Sequence, residues 1–317
     1  MAGAKLTSLS YLGFAVETAL GTPVAPTGFI PVRSFKPQDN PKFVQDKGYR
    51  GQAVDLFGEY LSVMSGQYDI EGDAYPSSFG NILAMMFGQD TVTGSASPYT
   101  HKFVPVATPP SYTLGDYYVA GYRQWPGNKA SKLSIKFTPD AGLTYSTTLL
   151  GFPSATGTAP ATQTFGVNPY FLGWEASLSI GGTANAKLNS FSLSLERKGA
   201  KALFSAANSQ NPFDIFVGPL SADWDLNFYM EDDTEYALAL AQVTKAVTVT
   251  LIQPGTNYAC TLTSSAVQFT KPSIDRSKEY VGVKITGSAI YNATDGSVIT
   301  ASLVNATSTA YTTSAAS

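Results

Sequence analysis

Apolar and polar residues alternate along several stretches of the chain. Between Leu133 and Phe137 the odd positions are apolar and the even positions polar, and the same alternation recurs at 191–195, 247–251 and 281–285. Successive side chains of a β-strand point to opposite faces, so each stretch predicts a strand with one buried face and one polar face. Strands of this kind favour antiparallel sheets in a sandwich or a barrel.

Two stretches have the spacing of a helix instead. The first follows Ser78 and ends at Gly88, with apolar residues at positions 79, 82, 83 and 86. The second follows Asp233, with apolar residues at positions 236, 239, 240 and 243. The acidic residues at 231–235 suggest a metal site or acid–base chemistry, but carboxylates at a helix start also satisfy free N–H groups and favour the helix dipole. We interpret this cluster as structural.

Short motifs recur in the same order along the two halves of the chain. Tyr11-Leu12-Gly13-Phe14 recurs as Phe171-Leu172-Gly173-Trp174, and Ser34-Phe35 recurs as Ser190-Phe191. The two helical patterns also correspond. Chance similarity between strand-rich segments is the alternative explanation, but the conserved order favours an internal duplication.

The repeat predicts two tandem domains of one β-rich fold, residues 1–155 and 156–317, each with one short helix. The boundary lies at 153–160, where proline, glycine and small residues form a linker-like segment. Each domain also carries a long polar stretch, at 36–60 and 196–220, which we predict to be a loop. Loops of this length are usually functional or mobile.

The amino-acid composition excludes several classes of functional site. Charged residues make up 14% of the chain, against an ordinary share of about 25%, and the net charge of -3 argues against nucleic-acid binding through a basic surface. With one histidine and one cysteine, the chain cannot form a zinc cluster from these residues or an internal disulfide. His101 has no acidic residue close by in the sequence, and Cys260 lies on an apolar strand face, so we interpret both as structural.

No phosphate-binding glycine loop is present, and we predict no catalytic residue, no metal ligand and no cofactor. We therefore expect a protein that is not an enzyme; an enzyme that uses His101 or the acidic cluster at 231–235 is the minor alternative. No apolar run reaches the roughly 18 residues of a membrane span, so no membrane insertion is expected. Low charge and many aromatic residues fit a chain that buries surface against copies of itself.

Several motifs between residues 10 and 150 occur together. They are Leu12-Gly13-Phe14-Ala15-Val16-Glu17-Thr18, Gly66-Gln67-Tyr68-Asp69-Ile70-Glu71-Gly72, Tyr75-Pro76-Ser77-Ser78-Phe79 and Tyr99-Thr100-His101-Lys102-Phe103. As a set they resemble the tail tube proteins (major tail proteins) of long-tailed bacteriophages of the siphovirus type. The second half resembles this family mainly through the internal repeat.

The resemblance implies a mainly β fold: two tandem tail-tube-like β-sandwich or split-barrel domains, each with a short flanking α-helix. In that family six such domains form a ring, inner strands close into one wide barrel, and rings stack through long loops. With two domains in one chain, three chains would form a pseudo-sixfold ring. Chains of one domain would need six copies.

The resemblance also implies a function. The chain would be a structural subunit of the phage tail in the virion, assembled in the cytoplasm of the bacterial host. Helically stacked rings would form a hollow channel through which double-stranded DNA passes without specific binding. Its partners would be other copies of itself, a tape-measure protein and tail-tip or terminator proteins. The alternative is a two-domain carbohydrate- or receptor-binding module of a phage tail or a cell surface.

The two long polar stretches are our candidates for contacts between rings, because of their length and position. The candidate contact residues are Lys36, Pro37, Asn40, Pro41, Tyr49, Arg50, Arg197, Lys198, Asn211 and Pro212.

Overall fold

The computed structural model describes residues 5–166, 168–207, 209–277 and 279–313. The first half contains β1 (Tyr11–Val16), β2 (Gly28–Ile30), β3 (Ser34–Asp46), β4 (Gly58–Asp73), α1 (Phe79–Phe87), β5 (Gly88–Thr93), β6 (Tyr99–Pro105), β7 (Tyr112–Tyr117), β8 (Tyr122–Phe137) and β9 (Thr144–Gly151). A short strand, β10 (Ala155–Thr156), follows. The second half contains β11 (Ala176–Ile180), β12 (Thr183–Asn185), β13 (Leu188–Arg197), β14 (Lys201–Leu203), β15 (Asp214–Phe216), β16 (Leu220–Tyr229), α2 (Thr234–Leu240), β17 (Thr244–Ile252), β18 (Ala259–Asp275), β19 (Gly282–Ala289) and β20 (Thr300–Asn305).

The mainly β fold with two short helices is confirmed. The alternating stretches lie in β8, β13, β17 and β19, where buried and half-exposed residues alternate. Helix α1 ends at Gly88, which has a left-handed φ of 90°. All of its nine residues are buried, not only one face, because strands surround it. Helix α2 stops before the predicted position 243, because Gln242 turns the backbone to a φ of +52°.

Strands of the two halves pair in the same order. In the first half the order is β3–β4–β9–β8–β7–β1–β2, and every pair is antiparallel. In the second half it is β13–β16–β19–β18–β17–β11–β12, again antiparallel throughout. In the part of the chain that the structure describes, the β5–β6 hairpin of the first half has no counterpart in the second.

The two halves share one sheet. Residues 132–137 of β8 pair with β9 on one side and with β13 on the other, in register from Phe137 opposite Phe191 to Lys132 opposite Glu196. Eight strands therefore run side by side as β3–β4–β9–β8–β13–β16–β19–β18, and we call this the long sheet. Because β8 and β18 each pair first with an outer strand and later with the long sheet, they carry the chain from one layer to the other.

Apolar side chains from both layers form one core. The inner face of the long sheet contributes fully buried residues from every one of its strands except β3, among them Ile70, Leu133, Leu193 and Trp224. The indole of Trp224 donates a hydrogen bond to the Ser264 hydroxyl at 3.0 Å, so its one polar group is satisfied inside the core.

The halves are also joined through their outer layer. The last strand, β20, pairs with β18 of the second half and with β6 of the first. The β5–β6 hairpin therefore extends the outer sheet of the second half. The long sheet and this exchange make each half part of the other's structure.

The prediction that residues 36–60 form a loop is wrong. Strand β3 continues to Asp46 and β4 begins at Gly58, so most of the stretch is a two-stranded ribbon. The sequence shows no strand pattern here because much of the ribbon is exposed on both faces and needs no apolar side. The second stretch, 196–220, likewise contains a short hairpin, formed by β14 and β15.

Candidate assembly surfaces

A long β-ribbon extends from the first half. Strand β4 pairs with β9 only from Gly66 onward, so residues 39–65 pair only within the ribbon, from Asn40 opposite Ser65 to Asp46 opposite Gly58. We call residues 39–65 arm one; its paired part spans about 25 Å at the usual rise per residue. Its exposed apolar side chains are Phe43, Val44, Tyr49, Val54, Leu56, Tyr60 and Leu61. So many exposed apolar residues on one segment indicate a contact surface.

A shorter hairpin extends from the second half and meets arm one. We call residues 198–219, without the undescribed residue 208, arm two. The Met64 amide donates to the Gln210 carbonyl at 2.9 Å, and the Gln210 side chain donates to the Leu61 carbonyl at 3.1 Å. Phe213 and Phe216 of arm two are also exposed. The two arms therefore form one apolar surface on the same side of the molecule.

The predicted contact residues separate into three groups. Those in the two arms and exposed or half-exposed are Asn40, Pro41, Tyr49, Arg50, Lys198 and Asn211. Lys36 and Pro37 are exposed in β3, at the border of the long sheet and not in arm one. Arg197 and Pro212 are buried.

Arg197 joins the two halves. Its guanidinium donates to the carbonyls of Met86 at 2.9 Å, Phe87 at 3.0 Å and Val106 at 2.8 Å. Met86 and Phe87 end helix α1, where carbonyls lack helical partners and the helix dipole favours a cation. Burial lowers the pKa of Arg197 to about 10, so it stays charged at neutral pH. The Arg197 side chain therefore bonds to its own chain and does not point to a neighbouring ring.

His101 holds the C-terminal segment against the first half. Its Nδ1 lies 2.9 Å from Asp90 Oδ2, and its Nε2 lies 2.9 Å from the Thr307 carbonyl oxygen. Both partners are acceptors, so both bonds form only with the protonated imidazolium. Asp90 also accepts a bond from the Tyr311 amide at 2.8 Å. The expectation that His101 has no acidic partner is wrong, because the β5–β6 hairpin brings Asp90 beside it.

We expect stability to fall as this histidine loses its proton. Burial by itself lowers the pKa of His101, but the bonds to Asp90 and Thr307 outweigh it and raise the pKa above 6.5. The stabilisation is therefore complete below about pH 6.5 and is lost as the pH rises through the folded-state pKa. Urea unfolding between pH 6 and 9 measures this loss. His101→Gln should flatten the profile; identical profiles for the two proteins would show that His101 does not titrate as described.

One face of the long sheet is polar from border to border. Its side chains alternate with the core residues and are mostly serine, threonine and charged residues. The charged ones are Lys36, Lys132, Lys136 and Lys284 against Asp69, Glu71, Glu196, Asp223, Asp225 and Asp275. Four lysines against six carboxylates leave the face weakly acidic. It offers no concentrated positive charge for a phosphate backbone.

The long sheet has two open borders. In the part of the chain that the structure describes, β3 pairs only with β4, and residues 269–275 of β18 pair only with β19. Open borders leave backbone N–H and C=O groups ready to pair with another strand. In the first half the strand that corresponds to β18 is β8, whose matching border is covered by β13. We call the β8–β13 pairing inside the chain the closed junction. The unpaired borders of β3 and β18 are the two sides of a second, open junction.

The described residues show little that points to catalysis or metal binding. No group of three or more histidine, cysteine, aspartate or glutamate residues among them is placed to hold a metal ion. Cys260 is fully buried, and burial raises the pKa of its thiol to about 12. None of the described helices is long and apolar enough to cross a membrane.

Sequence reasoning did not single out the turn between β18 and β19. This turn carries Asp275, Arg276 and Glu279 next to the apolar residues of β19. A charged turn between two alternating stretches was the only available signal, and the same signal marks ordinary solvated turns.

One comparison with known proteins identifies a relationship. A family model described as phage tail tube protein matches residues 7–303. The match begins in the first short turn and ends in β20, so it spans both halves. The curated proteins contain no match to the chain.

Proposed function

The chain belongs to the phage tail tube protein family, and on this premise we propose that it assembles into stacked rings that form a channel for the phage genome. Members of this family are structural components of the phage tail and of the virion. The ring, its number of chains, the stacking and the passage of DNA are our proposal.

The open borders of the long sheet support ring formation. The end of β18, which among the described residues has a strand partner only on its β19 side, corresponds to the part of β8 that pairs with β13. The outer border of β3 corresponds to the border of β13 that pairs with β8. If β18 of one chain pairs with β3 of the next, each chain repeats the junction it already contains. Such head-to-tail contacts form a closed ring when the rotation between neighbours allows closure, and closure removes the open borders.

The size of the barrel favours three chains. At about 4.8 Å between strands, eight strands form a barrel about 12 Å across at the backbone, and twenty-four form one about 37 Å across before strand tilt widens it. Side chains on the wall occupy several ångströms on each side. Three chains of eight strands leave ample room for a duplex, two chains leave little to spare once tilt is included, and one chain leaves none.

The polar face of the long sheet would line this channel. Its opposite face is buried in the core, so only the polar face is available to the lumen. A weakly acidic lining rich in hydroxyls lets DNA slide, because counterion release drives binding only where cations gather.

The two arms would make the contacts between rings. They carry exposed apolar residues on one side of the molecule and leave the long sheet free to close the ring. By its family, the chain would also meet a tape-measure protein within the tube and tail-tip or terminator proteins at its ends, during assembly in the host cytoplasm.

We further propose that the chain arose by duplication of one tail tube domain, with copies at about 1–155 and 156–317. The identical order of six strand pairings in the two halves supports this. The β5–β6 hairpin is then an insertion in the first copy.

Electron microscopy of concentrated purified protein tests the proposed function. We expect hollow tubes or rings, with a mass per ring of three chains. A protein that stays monomeric at all concentrations, and that binds glycans on an array, would support the carbohydrate-binding alternative and contradict the proposal.

A further inference from the structure

The closed junction inside the chain includes more than strand pairing. The turn between β8 and β9 packs against the start of the second half. There the Leu143 amide donates to the Phe171 carbonyl at 2.8 Å, and the Gly173 amide donates to the Ala141 carbonyl at 2.7 Å. The ring of Phe137 packs against that of Phe191, with centroids 5.1 Å apart. Leu143 and Phe171 are fully buried. This junction therefore combines a strand pair with a turn inserted into a socket.

The turn between β18 and β19 corresponds to the one between β8 and β9. The Ala74 amide donates to the Leu143 carbonyl at 2.9 Å, and the Met230 amide donates to the Val281 carbonyl at 3.0 Å. These paired bonds follow β4 in the first half and β16 in the second, so Val281 corresponds to Leu143. Asp275, opposite Gly282, then corresponds to Lys136, opposite Thr144.

The start of the first half corresponds to the socket. Turns Thr7–Leu9 and Gly173–Glu175 are each one 3-10 turn that leads into the first outer strand, β1 or β11. The sequence match of residues 11–14 with residues 171–174 is therefore wrong, because residues 11–14 lie inside β1 whereas residues 171–174 come before β11. In β3, Lys36 lies opposite Asp69, as Ser192 lies opposite Asp225 in β13. Leu6 is 68% exposed and Val281 is 40% exposed, whereas their counterparts inside the chain are largely or completely covered.

A cleft lies at this position in the first half. It has a volume of about 570 Å³ and is lined by residues that include Leu6, Phe35, Asp116 and Trp125. Asp116 is 4% exposed, and in the described part of the chain its Oδ1 and the Trp125 Nε1 have no hydrogen-bond partner. Burial raises the pKa of Asp116 to about 6, against the opposing effect of the Tyr68 hydroxyl. One oxygen of this buried carboxylate lacks a donor, which is costly, and a further hydrogen-bond donor in the cleft, beside Lys5, Arg33 and Arg123 that also line it, would remove that cost.

From this geometry we infer that the end of β18 and the Arg276 that follows it enter the cleft of the next chain, where Asp275 lies opposite Lys36 and Arg276 contacts the Phe35 ring and the Asp116 carboxylate. The inference rests on the proposed ring and specifies its register. Lys36 corresponds to Ser192 and Asp275 to Lys136, which are Cα partners in the closed junction.

Charge complementarity favours a second copy of this chain as the occupant. At the open junction a lysine meets an aspartate across the strand pair, and opposite charges directly across a pair stabilise it. Arg276 takes the place of Phe137, so its guanidinium can lie over the Phe35 ring and bond the Asp116 carboxylate. Pro37 supplies no amide donor, so the backbone pairing depends on its neighbours.

Disulfide crosslinking of assembled tubes tests the register. The double variant Lys36→Cys/Asp275→Cys should crosslink on mild oxidation and yield covalent trimers on a non-reducing gel, because Cα partners in a sheet lie within disulfide range. The control Ser34→Cys/Asp275→Cys places the thiols on the same face but two residues out of register. We expect it to crosslink at least tenfold more slowly.

Charge reversal tests the insertion itself. Arg276→Glu should reduce tube yield at least tenfold and leave the unfolding temperature of the monomer unchanged, whereas Lys284→Glu, on the polar face, should still form tubes. Tubes that form without the Lys36–Asp275 crosslink, or that tolerate Arg276→Glu, would overturn this inference and leave the tube function standing. If the unmodified protein forms neither tubes nor rings, both proposals fail.

Discussion

Removal of arm one should stop tube growth and leave rings intact. The deletion replaces residues 41–64 by Asn-Gly, a favourable two-residue hairpin turn, so that Asn40 and Ser65 remain paired. The arm carries seven exposed large apolar side chains and contributes little to the core. We therefore expect tubes to be lost completely, while the temperature of unfolding changes by only a few degrees. Electron microscopy and thermal unfolding of the same sample measure both effects.

A shorter deletion is a poorer test of the same idea. Removing residues 41–50 alone would leave the arm-one part of β4 without its partner strand, and lost tubes could then reflect exposed backbone instead of lost contacts. Full-length tubes assembled from the 41–64 deletion would show that arm one does not connect rings.

Arg197→Met should destabilise the folded chain strongly. The substitution removes the donors to three buried carbonyls and the cation at the end of α1. Loss of one side of a buried charged network usually costs about 3–5 kcal/mol. For a chain of this size, that corresponds to a fall of about 5–8 °C in Tm.

Two further variants separate the possible causes. Arg197→Lys keeps the charge but lacks the planar guanidinium that reaches three carbonyls. Its free energy of unfolding should therefore lie between those of the wild type and Arg197→Met. Arg50→Met makes the same change at an exposed side chain of arm one and should shift the unfolding free energy by less than about 1 kcal/mol. If Arg197→Met and Arg50→Met lowered the free energy of unfolding equally, the buried bonds of Arg197 would contribute no more to stability than an exposed side chain does.

Local structure could be predicted where one face of a segment is buried. The alternation from Leu133 to Phe137 follows directly from a strand between core and solvent, and Gly88 marks the helix end because it needs a left-handed φ. Arm one lacks such a signal, since neither of its faces is covered. Its strands could be identified only from the structure.

Contacts between distant residues could not be predicted in the same way. Arg197 follows an alternating stretch and ends a strand, yet its partners lie 91 to 111 residues earlier. The partner of His101 is close in sequence, but pairing across a hairpin, not sequence distance, decides whether the side chains meet. A single sequence does not show which distant residues meet in the fold, so these charged residues look the same as ordinary surface charges.

The assembled ring offers the most direct test of these conclusions. Cryo-electron microscopy of tubes would show both the number of chains in a ring and the strand next to β3. We predict three chains per ring and one continuous barrel in which β3 of each chain pairs with β18 of its neighbour. A ring of six chains, or a ring in which β3 faces solvent, would contradict the account.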